Sequence, residues 1–192
     1  SSEIYSNNTT DTSHKETDSI NLSLEHKRNS YIFGKLAGEM IVNEFRNLGY
    51  DAISARVSLC YGPGHLYNDA RVMSDITRKG MDDKFKNIKL FDDGSALRRY
   101  MHISDFMIML LDISITGRSE VYNIGGTEEV SIYDMACHIG TFFNKDIEKG
   151  VSNNNVSNSA PKRVWVSLDR YKKEFGAINF TSFKYGIDLY LK

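Results

Sequence analysis

Residues 29–61 read NSYIFGKLAGEMIVNEFRNLGYDAISARVSLCY, and this stretch sets the class of fold. Its first part places apolar side chains at helical spacing, which predicts a helix over residues 30–48. Residues 51–61 form a short run typical of a β-strand. Helix, short loop and strand in this order make the αβ half of a βαβ unit, so an α/β fold is predicted. The apolar helical positions are Tyr31, Ile32, Leu36, Met40, Ile41 and Phe45.

The predicted helix has a signal at each end. Asn29 or Ser30 can cap its start, because a short polar side chain accepts a hydrogen bond from an amide of the first turn. Gly49 supplies its stop. Residues 6–30 are polar and almost free of large apolar side chains, which predicts a long surface loop. Residues 1–2 look like the end of a strand.

The composition fits a single globular unit. The chain has 192 residues, 41% hydrophobic and 26% charged, and a net charge of −1 gives no reason to expect a nucleic-acid or membrane partner. No apolar run approaches the roughly 18 residues that span a bilayer. The start SSEIYSNNTT lacks the features of a signal peptide. Cys60 and Cys137 show no metal-ligand spacing, so reduced thiols, a cytoplasmic location and no metal site are predicted.

Tyr31 and Lys35 form the motif that can carry chemistry. Four positions apart on a helix, their side chains lie on one face. A phenol ordinarily ionises at about pH 10, and a neighbouring ammonium favours the ionised form. Such a pair can take a proton from a hydroxyl group while a hydride leaves the same carbon. The spacing alone occurs in many amphipathic helices, so this hypothesis depends on the surrounding sequence.

Five segments together give a stronger signal. They are SSEIY at 1–5, YIFGK at 31–35, RVSLCYGPG at 56–64, RRYMHISD at 98–105 and VYNIGGTEEVSI at 121–132. In the same order, they resemble segments of the extended short-chain dehydrogenase/reductase family, within the NAD-dependent nucleotide-sugar epimerases, dehydratases and decarboxylases. A weaker resemblance continues to the C-terminus.

The resemblance implies a fold and a domain arrangement. The fold would be the C-terminal part of a Rossmann-like doubly wound parallel sheet, with a smaller substrate-binding α/β subdomain. Residues 1–64 would be a remnant of the NAD-binding Rossmann domain, with the catalytic helix and the following strand. Residues 65–192 would be mainly the substrate-binding region, with some segments returning to the Rossmann sheet.

The resemblance also implies catalytic and cofactor-binding residues. Tyr31 would remove the proton of a sugar hydroxyl, and Ser1 would hydrogen-bond the same oxygen. Glu3 would act as an acid or base in the reaction. An equally good interpretation is that Glu3 is a surface or cap residue. NAD would be held by Tyr31, Lys35 and Cys60. The implied reaction passes through a transient 4-keto sugar and leads to decarboxylation, dehydration or epimerisation.

The substrate side of the site is implied by NDARVMS at 68–74, which resembles a segment of UDP-glucuronate decarboxylases. Asn68, Arg71 and Ser74 would contact a UDP-sugar. Arg98 would bind its diphosphate, because a guanidinium fork matches two phosphate oxygens. Without the motif, solvated surface charge is the alternative for Arg71 and Arg98.

Departures from the family pattern leave the exact substrate and function open. Leu59, Ser6 and His102 stand where the family has Asn, Gly and Tyr, and His102 is expected to be packed or exposed rather than a base. No glycine-rich phosphate-binding turn occurs in the 192 residues. The alternative is therefore a catalytically silent fragment, or a split subunit that binds a nucleotide sugar and needs a separate N-terminal chain for NAD.

The apolar face of the predicted helix 30–48 has two interpretations. Members of the family pair through two helices, one of which carries the Y-x-x-x-K motif. That resemblance implies a homodimer through the helix of Tyr31. The same apolar face could instead belong to the core of the chain itself.

Overall fold

A computed structural model describes residues 1–8, 13–64, 69–151 and 165–192. Within these ranges the chain forms a 3-10 helix at Ser2–Tyr5, six α-helices and eight short β-strands. The helices are α1 Asn29–Asn47, α2 Val72–Met81, α3 Ile103–Thr116, α4 Ile132–Phe143, α5 Asp169–Phe175 and α6 Phe183–Tyr190. The strands are β1 Ser54–Val57, β2 Cys60–Tyr61, β3 Ile88–Lys89, β4 Leu97–Arg98, β5 Met101–His102, β6 Val121–Ile124, β7 Val130–Ser131 and β8 Ile147–Glu148. Helices interspersed with mainly parallel strands confirm the predicted α/β class.

Helix α1 begins and ends one residue earlier than predicted. Arg28 occupies the N-cap position without a side-chain hydrogen bond, so the predicted capping by Asn29 or Ser30 is wrong. Asn29 already lies inside the helix, and its side chain accepts a hydrogen bond from the neighbouring Ser30 amide at 2.6 Å. Gly49 has a φ of +89° and follows the last turn, which confirms the predicted stop.

The strands form four pairs. Strands β1 and β6 are parallel, with Ser54 opposite Val121 and Val57 opposite Ile124. Strands β2 and β5 are also parallel, as are β3 and β8, whereas β4 and β7 are antiparallel. Because parallel strands run in one direction, the carboxyl ends of β1 and β6 meet at one edge.

The predicted strand over 51–61 is divided into β1 and β2, because the chain changes its pairing partner between them. The Ser58 amide donates a hydrogen bond to the Ile124 carbonyl at 2.8 Å. The next carbonyl, that of Leu59, accepts from the Met101 amide at 2.9 Å. The two-residue join therefore connects the β6 side of the molecule to the β5 side.

Two apolar clusters make up the core. The first lies around α2, α4 and α6, and consists of Tyr61, Met73, Ile76, Ile88, Leu90, Ile132, Met135, Ala136, Ile139, Phe183 and Ile187. The second consists of Ile4, Tyr5, Met101, Met109, Ile113, Tyr122, Ile124, Val166, Leu168 and Tyr171. The second cluster packs around β6 and supports the start of the chain. The predicted domain division at residue 64 stays a prediction.

The polar segment before α1 is partly buried, which corrects the predicted surface loop. His14 forms a parallel bridge with Val166, and its ring stacks on Tyr5 with centroids 4.9 Å apart. Glu16 is buried as well, and its carboxylate accepts a hydrogen bond from the Asn123 amide at 2.9 Å. Val166 and Asn123 are distant in sequence from this segment, so its local composition cannot indicate the burial.

Helix α1 and its C-cap residue leave several large apolar side chains exposed. Met40, Ile41, Phe45 and Leu48 lie on its surface, and Ile32 is its one buried residue. The described part of the chain therefore does not cover this face. None of the helices within the described ranges is both long and apolar enough to cross a membrane.

Candidate active site

Tyr31 and Ser1 meet beside the first turn of α1. The Tyr31 hydroxyl donates a hydrogen bond to Ser1 Oγ at 3.3 Å, and the same oxygen accepts from the Glu3 amide at 3.3 Å. Ser1 thereby caps the 3-10 helix, so the predicted strand end at residues 1–2 is wrong. A hydroxyl that accepts from an amide two residues ahead favours a turn over a strand. Tyr31 is 41% exposed, which leaves the phenol open to a ligand.

Two cations flank the Tyr31 ring. Lys35 Nζ lies 5.5 Å from the ring centroid, and the guanidinium carbon of Arg28 lies 5.0 Å from it. Lys35 is exposed and forms no ion pair with another residue of the described ranges. Cations at such distances interact favourably with an aromatic face. The structure therefore brings Ser1, Tyr31 and Lys35 together, while their catalytic roles stay predictions.

Glu3 and Cys60 differ in their surroundings. The Glu3 carboxylate pairs with Arg28, with Oε1 3.0 Å from Nη1, so this ion pair borders the Tyr31 site. Both roles predicted for Glu3 stay open to test. Burial raises the pKa of the Cys60 thiol to about 11. Cys60 is therefore protonated at neutral pH, and its predicted contact with a cofactor does not involve a thiolate.

Arg71 and Arg98 lie near one half-buried phenol. Burial raises the pKa of Tyr100 to about 12, and the charges of Arg98 and Arg71 act in the opposite direction. Arg71 precedes α2, and its Nε lies 2.8 Å from a carboxylate oxygen of Asp69. Its side chain is 71% exposed. Because it is exposed, this guanidinium is able to bind a phosphate group in place of the Asp69 carboxylate.

The other predicted substrate residues are Ser74 and Asn68. Ser74 lies in α2 and is 4% exposed, and its hydroxyl has no hydrogen-bond partner among the described residues. Asn68 lies outside the described residues. Nowhere in the described ranges do three His, Cys, Asp or Glu side chains gather as metal ligands would.

Comparison with known protein families shows which family this chain is related to. The model of the NAD dependent epimerase/dehydratase family matches residues 1–125, which is more than half of the 192 residues. The chain belongs to the NAD-dependent epimerase/dehydratase family. The resemblance in the five sequence segments is thereby confirmed at the level of the family.

Relatives in this family act on nucleotide sugars according to their names. The dTDP-4-dehydro-6-deoxy-D-allose reductase of Streptomyces bikiniensis is 30% identical over 137 residues, which are 71% of this chain and 42% of the relative. UDP-glucuronic acid decarboxylase 1 of Arabidopsis thaliana is 24% identical over 123 residues, which are 64% of this chain and 28% of the relative. The chain therefore spans less than half the length of these curated relatives.

A solved structure from the family shares the fold. The dTDP-glucose 4,6-dehydratase of Streptomyces venezuelae, solved with bound NAD, superimposes with a TM-score of 0.79 at 17% identity. The similarity covers 99% of this chain and 56% of that chain. The predicted Rossmann-like α/β fold is therefore confirmed.

A buried polar network behind the site is not evident from the family motifs. Arg56 is at its centre, and its Nε donates a hydrogen bond to Glu39 at 3.0 Å. Its Nη1 donates to the Tyr5 hydroxyl and, at 3.1 Å, to the Glu16 carbonyl. The Tyr5 hydroxyl lies 3.1 Å from Asn123 Oδ1. The network therefore links α1, β1, β6 and the 3-10 helix.

The charge of Arg56 is maintained despite its burial. Burial lowers the pKa of Arg56, but hydrogen bonds and charge interactions with Glu39 and Tyr5 outweigh this effect and raise the pKa above its usual value. Arg56, Tyr5 and Asn123 all belong to the family-like segments, and Glu39 follows Lys35 by four positions. The sequence motifs could identify these four residues as candidates, but they could not indicate which of them form hydrogen bonds with each other.

Proposed function

We propose that this chain supplies catalytic residues to an NAD-dependent enzyme that modifies a nucleotide sugar through a transient 4-keto sugar. The observation that carries the proposal is the contact between the Tyr31 hydroxyl and Ser1 Oγ, 3.3 Å apart, beside the Lys35 ammonium. An exposed phenol with a neighbouring hydroxyl and cation suits proton transfer at a sugar hydroxyl. Membership in the NAD-dependent epimerase/dehydratase family supports the proposal.

Each of these residues has a role in the proposed reaction. Tyr31 takes the proton of the sugar C4 hydroxyl, and Ser1 hydrogen-bonds the same oxygen. Lys35 stabilises the phenolate and binds hydroxyl groups of the cofactor ribose. Tyr31 and Lys35 fit NAD because both are exposed on one face of α1. Bound NAD supplies a reversible hydride acceptor for that carbon.

The finer proposal names UDP-glucuronate as the substrate, with decarboxylation as the outcome. It is supported by the NDARVMS segment and by the Arabidopsis decarboxylase. Arg71 and Arg98 would bind the diphosphate, and the ketone at C4 would make loss of CO₂ from the neighbouring carbon favourable. The Streptomyces reductase supports a dTDP-sugar instead, with proton transfer at the same C4 oxygen.

Product analysis distinguishes these reactions. The intact protein is incubated with NAD and, in separate reactions, with UDP-glucuronate, dTDP-glucose or UDP-glucose. Mass spectrometry and NMR then detect loss of CO₂, loss of water, or inversion at C4 with no change in mass. We expect loss of CO₂ from UDP-glucuronate. Loss of water or inversion at C4 would support the general proposal but contradict UDP-glucuronate decarboxylation. No conversion of any sugar would contradict both the general proposal and the decarboxylation.

The alternative of a silent or split subunit has its own test. Isothermal titration calorimetry measures NAD binding to the 192-residue chain, with UDP as a second ligand. Tight NAD binding argues against the silent fragment. Binding of UDP without NAD favours a subunit that receives its cofactor from a separate N-terminal chain.

A homodimer through α1 is the proposed assembly. Met40 is 72% exposed, Ile41 59%, Phe45 49% and Leu48 67%. Exposed apolar side chains that are contiguous on one surface are typical of a protein–protein interface. Their exposure favours the dimer over the alternative that this face belongs to the core of the chain.

A further inference from the structure

Arg56 joins the two segments that carry the candidate catalytic residues. It lies on β1 and is 6% exposed. Its Nε and Nη2 both donate hydrogen bonds to the Glu39 carboxylate of α1. Its Nη1 donates to the hydroxyl of Tyr5, the last residue of the 3-10 helix that Ser1 caps. One guanidinium therefore fixes α1 relative to the segment of Ser1.

The carboxylate that Arg56 binds is also a potential partner of Lys35. Glu39 follows Lys35 by four positions, and side chains at this spacing on a helix are close enough to form an ion pair. Glu39 instead pairs with Arg56, and Lys35 Nζ lies over the Tyr31 ring. A two-bond contact with a buried guanidinium is stronger than a contact with an exposed lysine, so the carboxylate stays with Arg56.

We infer that Arg56 is a positioning residue that keeps the Glu39 carboxylate away from Lys35 and so leaves the Lys35 ammonium beside Tyr31. The inference rests on the proposed function, because it connects Arg56 to proton transfer by Tyr31. Without the guanidinium, Glu39 turns to Lys35 and the ammonium leaves the ring. Turnover then falls while sugar binding, which does not involve Arg56, is retained.

The first test removes the guanidinium from the intact protein. We expect Arg56→Met to lower kcat about fivefold, with KM for the nucleotide sugar within about twofold of the original. Adding Glu39→Gln removes the competing charge, so the double variant recovers most of the lost kcat. A purely structural role of Arg56 predicts no recovery, and that result would overturn the inference.

The second test leaves Arg56 in place, which covers the case that Arg56→Met does not fold. Gly38 lies three positions after Lys35, and its surroundings leave open space for a side chain. Gly38→Glu adds a carboxylate within reach of Lys35, while the Arg56 guanidinium is already bound to Glu39. We expect it to lower kcat relative to the matched control Gly38→Gln. Equal kcat values in these two variants would contradict the inference.

A third measurement separates this inference from the proposed function, since it needs no turnover. Acetic anhydride acylates lysine amines, and mass spectrometry of the Lys35 peptide gives the rate at this residue. An amine paired with a carboxylate stays protonated and reacts more slowly, so Arg56→Met should slow acylation about threefold and the double variant should restore it. An unchanged rate in Arg56→Met overturns the inference. The expected rates in a protein that converts no sugar would reject only the proposed function.

Discussion

The two neighbours of Tyr31 come from very different positions along the chain. Lys35 lies one helical turn ahead, with Nζ 5.5 Å from the ring centroid. Ser1 lies 30 positions earlier and accepts the phenol hydrogen bond. The first neighbour follows from helix geometry, whereas the second depends on the fold that returns the 3-10 helix to α1. The proposed proton transfer uses both neighbours, because Lys35 would stabilise the ionised phenol and Ser1 would bind the same substrate oxygen.

The role of Tyr31 is tested by Tyr31→Phe. The phenyl ring keeps the packing but loses the group that takes the proton, so we expect kcat to fall by about 10²–10⁴-fold. Binding of the nucleotide sugar, measured by calorimetry, should change little. Tyr185→Phe is the matched control, because Tyr185 is 60% exposed on α6. An unchanged kcat in Tyr31→Phe would remove the phenol from the mechanism.

Much of the candidate site can be predicted from the sequence, but the charges behind it cannot. The motifs that contain Tyr31, Lys35 and Ser1 have fixed order and spacing, so a resemblance can identify them together. The pairing of Glu39 with Arg56 is different, because Lys35 is an equally plausible partner on the same helix. The choice between the two cations depends on where β1 places Arg56, and local sequence does not specify that position.

At the level of single elements, Gly38 inside α1 and Gly49 just after its end have opposite requirements. Gly49 ends the helix at a φ of +89°, where a side chain is strained. Gly38 lies within the helix and has open space around it. We expect Gly49→Ala to destabilise the protein by about 1 kcal/mol and Gly38→Ala to stabilise it by about 0.5–1 kcal/mol. Urea unfolding of both variants measures the difference, and changes of the same sign would contradict this account.

The exposed face of α1 gives a second prediction for this element. If the face forms the proposed dimer, Phe45→Glu should dissociate it, because a charge in an apolar interface loses its hydration. Light scattering coupled to gel filtration would show the mass fall by half. Phe142→Glu is the control, since Phe142 is 45% exposed on α4. A protein that is already monomeric before substitution would exclude the dimer.

The elements themselves were predictable where local pattern determines them. The apolar spacing and Gly49 place α1 to within one residue at each end. The run over 51–61 shows its β character but not its interruption, because the change of pairing partner at Ser58 and Leu59 depends on Ile124 and Met101. The burial of Glu16 could not be predicted either, because it also depends on residues that are distant in sequence.

At the level of the whole molecule, partly buried acids that ionise at high pH should contribute to alkaline stability. Burial raises the pKa of Cys60 from 9.0 to about 11 and that of Tyr100 from 10.0 to about 12. Between the ordinary pKa and the raised pKa of each group, the unfolded chain loses a proton that the folded chain keeps. The free energy of unfolding therefore falls as pH rises from about 9 to 12. Urea titrations at pH 8 and pH 11 measure this loss.

Substitution of Tyr100 checks the origin of the alkaline effect. Tyr100→Phe removes one of the groups whose pKa burial raises while keeping the ring, so its loss of stability between pH 8 and pH 11 should be smaller. Tyr185→Phe, at an exposed position, should lose as much as the original protein. Identical losses in all three proteins would show that Tyr100 does not contribute.

The change of partner between β1 and β2 limits how the molecule can deform. Adjacent residues, Ser58 and Leu59, are hydrogen-bonded to different strands, one to Ile124 of β6 and the other to Met101 of β5. A hinge at this point would have to break a backbone hydrogen bond before either side could swing. Because Ile124 and Met101 both belong to the second apolar cluster, the two bonds hold this junction to that cluster, and independent movement of β1 and β2 is unfavourable.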